Sequence, residues 1–155
     1  MITLLSIDRE RKWHHRMAGE WELRQEYYCF PDEPQITHGR ESARLINGRW
    51  IMLQTVLGSY SRTRTLDYDP EKGLFVGTGF DSLSNHLWVH EATLDGDALT
   101  LESVGPEYPV GDEPLLPTRE VIVFRGADHR ISQLSVLREC GDWQVLLETH
   151  ALRVK

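Results

Sequence analysis

His86, Trp88 and His90 recur at every second position, so on a β-strand their side chains point to one side. Imidazole titrates near neutrality and indole supplies an apolar wall. The trio therefore suits a pocket that keeps a polar group at its rim. Two histidines four apart on a strand sit about 13 Å from each other, too far to share a metal ion. His38, His129 and His150 add no metal-ligand spacing, so no metal is expected. The bland alternative is a rim or core histidine bonded to backbone.

Glu41 shares its register with Thr37, Gly39, Ala43 and Leu45. Small and apolar neighbours turn this face inward and leave His38, Arg40, Ser42 and Arg44 outside. An inward carboxylate must find a cation or donors, because an isolated buried charge is costly. Arg119, in register with Val121 and Val123, is the expected counter-ion. The pair reads either as a structural salt bridge or as an anchor for a polar ligand head. In the second case Glu41 would serve as a base if desolvation raised its pKa.

Trp21, Trp50, Trp88 and Trp143 fall in four different segments, as packing for a barrel floor or as walls of an apolar pocket. Arg153, near the chain end, is expected over Trp21 as a cation–π cap.

These residues are carried by segments of short period. Residues 8–18 hold good helix formers, an acidic first turn and a glycine just beyond, which predicts a helix with Trp13 and Met17 on one face. At Gly19-Glu20-Trp21 the chain must turn sharply, and the period becomes two: Trp21, Leu23, Gln25 and Tyr27 oppose Glu22, Arg24 and Glu26. Further strands are predicted over 37–46, 50–57, 62–68, 74–81, 86–94, 98–104, 118–125, 131–139 and 143–154. Asn47-Gly48 signals a tight hairpin. Gly77 and Gly79, beside Phe75, suggest a corner or a close approach to the backbone. Pro106, Pro109, Pro114 and Pro117 exclude a central strand over 105–117 and suggest a semi-rigid flap over one barrel end. Ten strands, one helix and no βαβ unit predict an all-β fold, a single closed antiparallel barrel.

The 155 residues are the length of one domain, 1–155. A net charge of −7 repels phosphate backbones and argues against nucleic acid. Residues 1–7 lack the basic start and long apolar core of a secretory signal, and no run approaches membrane-spanning length. A cytoplasmic protein without membrane partners is expected. Cys29 and Cys140 fit no metal or redox spacing and are expected as buried free thiols.

Several blocks together resemble a bacterial family, the domain of unknown function fifteen seventy-nine. They are Gly19-Glu20-Trp21, Glu41-Ser42 with Gly48-x-Trp50, Tyr68-Asp69-Pro70 before Phe75-Val76-Gly77-Thr78, and His86-Leu87-Trp88-Val89. Arg119 ahead of Val121-Ile122-x-Phe124, and Asp128-His129-Arg130, complete the match. The resemblance runs from Trp13 onward and departs at His90-Glu91-Ala92, where a Tyr-Glu-Gly-like turn would stand. It implies a lipocalin-like, calycin-type barrel and no particular reaction.

No G-x-S-x-G elbow, phosphate-binding loop or dinucleotide fingerprint is present, so no cofactor is implied. The first expectation is a binding protein for a small, partly apolar molecule with a polar or anionic group. Trp21, Trp50 and Trp88 would form its walls, and Glu41, His86, His90 and Arg119 would set orientation. The alternative is a cofactor-independent enzyme, such as an isomerase, cyclase or hydrolase, with His86 or Glu41 as acid/base. A third is a structural barrel whose outer face makes a homodimer.

Overall fold

The computed structural model describes residues 4–28, 33–106 and 115–155. One helix, α1 (Leu4–His15), precedes ten strands. The first five are β1 (Gly19–Tyr27), β2 (Gln35–Ile46), β3 (Trp50–Leu57), β4 (Tyr60–Asp69) and β5 (Leu74–Asp81). The rest are β6 (Trp88–Asp95), β7 (Ala98–Pro106), β8 (Leu115–Phe124), β9 (His129–Leu137) and β10 (Trp143–Arg153). Each strand pairs antiparallel with its chain neighbours, and β1 also pairs with β10, so the sheet closes into a barrel. Among the described residues no helix is long and apolar enough to cross a membrane.

The helix begins earlier than the acidic-turn signal places it and stops at His15; residues 16–18 form a hydrogen-bonded turn instead. Gly19 follows at φ +136°, a conformation that L side chains rarely adopt, which permits the sharp exit into β1. Asn47 and Gly48 take φ 56° and 71°, as a tight hairpin requires.

Alternation sorts the wall residues into layers. Trp21, Ile51, Phe75, Leu99 and Phe124 fill the end against which the helix packs. Trp13 meets Phe75 and Phe124 edge-on, at 6.3 and 5.3 Å between ring centres. The Trp21 indole N–H donates to the Met17 carbonyl at 2.9 Å. Arg153 lies 4.2 Å from the Trp21 ring centre, as expected, and donates to the carbonyls of Ala18 (2.7 Å) and Arg16 (2.9 Å). Trp21 is thus the plug of a closed end. The hairpin of β3 and β4 and the chain between β5 and β6 lie at the other end, the mouth.

Two expectations are corrected here. Prolines do not keep β7 and β8 short: Pro106 pairs with Leu115 and Pro117 with Val104. The central part of the expected flap, 107–114, lies outside the described residues, as does Cys29. Cys140 is exposed rather than buried, because it sits in the turn between β9 and β10.

Candidate functional site

A cavity of about 570 Å³ opens at the mouth. Leu101, Leu134, Val136, Leu146, Leu147 and Trp88 contribute its apolar wall. Gly105 makes room for Trp88: a Cβ there would lie 2.1 Å from the indole ring. His90 also lines the cavity, its ring parallel to that of Trp88 within 4°, with 6.5 Å between centres. Among the described residues neither ring nitrogen of His90 has a hydrogen-bond partner. Burial, with Arg64 nearby, pushes the imidazole down to about 4, so it is neutral at pH 7.

Below this wall lies a belt of charge. Arg62 and Arg64 project inward from β4, Glu41 from β2, Glu120 from β8 and Arg130 from β9. Arg64 reaches across the lumen to Glu120 at 2.5 Å, and Arg130 likewise pairs with Glu41. Thr55 donates a second hydrogen bond to Glu41 at 3.2 Å. Burial alone would raise both carboxyls. The guanidinium groups outweigh it, holding Glu41 below its ordinary value and Glu120 down at about 2. Arg62, half-buried, keeps its Nε–H without a hydrogen-bond partner among the described residues, while its charge helps to lower the Glu41 and Glu120 carboxyls. Asp81 faces it in register, but the Asp81 carboxylate accepts from the Leu83 N–H at 2.9 Å. Tyr60 lines the cavity one position above Arg62 on the same face, its phenol shifted upward by burial.

Of the residues singled out from sequence, Trp88 and His90 come together on the cavity. Glu41 is inward as expected and 2% exposed, but it borders a smaller chamber below. Its partner is Arg130, not Arg119. In β8 the inward set is Thr118, Glu120, Ile122 and Phe124, which turns Arg119 outward. There Arg119 lies 3.5 Å from Glu102 and 4.0 Å from the Trp143 ring centre. Trp50 also points outward and is 38% exposed, because Ile51 and Leu53 take the inner face of β3. Trp21 is floor rather than cavity wall. His86 precedes β6, since the strand begins at Trp88; its Nε2–H donates to the Val104 carbonyl at 2.9 Å. Glu41 is held as a carboxylate by Arg130 and Arg64, and the backbone bond of His86 through Nε2 leaves its Nδ1 as the acceptor nitrogen.

Sequence reasoning passed over Arg62, Arg64, Glu120 and Arg130. A signal existed for the first two: they share a face with Leu66 and Tyr68, which are apolar and buried.

A family model described as "Protein of unknown function (DUF1579)" matches residues 7–153. The crystal structure of Rv2717c from M. tuberculosis is similar, with a TM-score of 0.63 and 15% identity over 93% of this chain and 96% of that one. A redesigned β-barrel aligns over 91% of this chain and 94% of its own, at 8% identity and a TM-score of 0.43. No curated protein matches.

Proposed function

The chain belongs to the DUF1579 family of proteins of unknown function, and from that premise we propose that its barrel binds a small, partly apolar molecule carrying an anionic group. The observation that carries this reading is Arg62, half-buried on the wall of a 570 Å³ cavity with apolar sides and with its Nε–H unbonded among the described residues. Trp88 supplies a flat surface for the ligand body, Arg62 a fork of donors for its head, and neutral His90 a donor and an acceptor beside them. The apolar body and the charge are then satisfied together, the usual economy of small-molecule pockets.

The test uses two fluorescent probes of similar size, the anionic 8-anilinonaphthalene-1-sulfonate and the neutral N-phenyl-1-naphthylamine. Both bind the wild-type barrel, and Arg62→Gln weakens the sulfonate about tenfold while sparing the neutral probe, since a hydrogen bond to a charged group contributes roughly 1.5–3 kcal/mol. Equal weakening of both probes, or no binding of either, overturns the reading. Native mass spectrometry of protein purified from its own host then gives the class of any co-purified ligand.

A further inference from the structure

Beneath the cavity, and sharing Arg62 and Arg64 with it, lies a chamber of about 20 Å³. A single water needs about 10–15 Å³, so the chamber has room for one or two spheres of that size and none for a carboxylate-bearing or phosphate-bearing molecule. Three arginines border it, Arg62, Arg64 and Arg130. Each keeps one buried N–H without a hydrogen-bond partner among the described residues: Nε of Arg62, Nε of Arg64 and Nη1 of Arg130. Arg64 and Arg130 are themselves only 7% and 6% exposed.

The chamber's own lining holds three guanidinium groups and one carboxylate, Glu41. Glu41 pairs with Arg130 and Glu120 with Arg64, while Asp81, opposite Arg62 in register, forms no ion pair with it among the described residues. Three hydroxyls also line the chamber: Thr55, which donates to Glu41, Thr149, which accepts from Gln25 at 3.1 Å, and Ser132. What stays unsatisfied is the set of three buried N–H groups, two of them on buried arginines, and a buried donor without an acceptor is costly. A water in the chamber would accept through two lone pairs and bring no charge. A monatomic anion accepts from all three N–H groups and suits a lining with more guanidinium groups than carboxylates.

We propose that the chamber is a halide site, in which chloride is held by Arg62, Arg64 and Arg130. The site needs no ligand in the cavity above. Where an anionic ligand does bind there, the two share Arg62, so each weakens the other to the same degree.

Crystals soaked in bromide test this directly. The expected result is an anomalous peak within hydrogen-bond distance of the three arginines; a water alone in the chamber, or bromide only on the surface, overturns the proposal. In solution, replacing gluconate by chloride at constant ionic strength raises Tm saturably by roughly 5 °C, and the rise is absent in Arg62→Gln. An identical Tm in the two salts, or an unchanged rise in the variant, counts against the site. The diffraction result stands even if that variant fails to fold, and neither readout depends on probe binding in the cavity.

Discussion

Glu41 on β2 and Arg130 on β9 are ion-paired across the lumen, although β1 and β10 separate them in the wall. Arg130 also lies 4.8 Å from the Trp21 ring centre, so one guanidinium joins the charged belt to the floor. Removing one partner strands the other. Arg130→Met is expected to cost about 3–5 kcal/mol, whereas Glu41→Leu together with Arg130→Met recovers most of that loss. Urea unfolding of both variants measures the difference; equal instability of the single and double variants would show that the pair does not act as a couple.

Stability should fall in two stages as the solution is acidified. His90 has its folded pKa lowered to about 4 from 6.5, so the unfolded chain takes up its proton first. The stability associated with its neutral form is complete above 6.5 and is lost toward pH 4, by roughly 3 kcal/mol. His14, its Nε2–H donating to the Leu66 carbonyl at 2.7 Å, is lowered by burial and acts in the same direction. Glu120, ordinarily near 4.5 and held at about 2, contributes stability that persists above 4.5 and disappears as pH falls toward 2. Urea midpoints between pH 7.5 and 3 give the profile, and His90→Gln should flatten the segment from 6.5 to 4.

Gly105→Ala tests how tightly Trp88 is seated. With the new Cβ only 2.1 Å from the indole, the ring must move, and the expected cost is about 1–3 kcal/mol. A shifted tryptophan emission maximum accompanies it. An unchanged spectrum at unchanged stability would mean that the wall yields more easily than its packing suggests.

Arg153 ties the last strand to the turn after the helix. Arg153→Ala removes hydrogen bonds to the carbonyls of Ala18, Arg16 and Ala127, the ion pair with Asp128 and the cation–π contact with Trp21, an expected loss of about 2 kcal/mol. Hydrogen exchange should localise the effect: amides of the helix lose protection, while β4 to β7 keep theirs.

Much of the barrel is written in alternation, and the misses share a cause. On β2 the two faces differ sharply in character, and the inward placement of Glu41 was readable. On β8 both faces are plausible interiors, Arg119 with Val121 and Val123, or Glu120 with Ile122 and Phe124. Only the long-range fit of Phe124 against Trp13 decides between them. Once the parity of one strand is reversed, the salt-bridge partner is wrong as well. Trp50 failed similarly, because β3 carries apolar side chains on both faces. Which arginine meets which carboxylate across a lumen depends on curvature and strand count, and no local pattern encodes those.

The seam between β1 and β10 gives the barrel a topological clasp. Trp21 and Arg153 are partners in it, so the strand that leaves the helix and the strand that completes the wall hold each other shut. The ring can close only after the last strand arrives, which makes its formation a long-range and comparatively slow event. Until then β1 and β9 each present an unpaired backbone edge. On such an edge a second chain can dock as readily as the missing strand. Closure removes both of those edges at once.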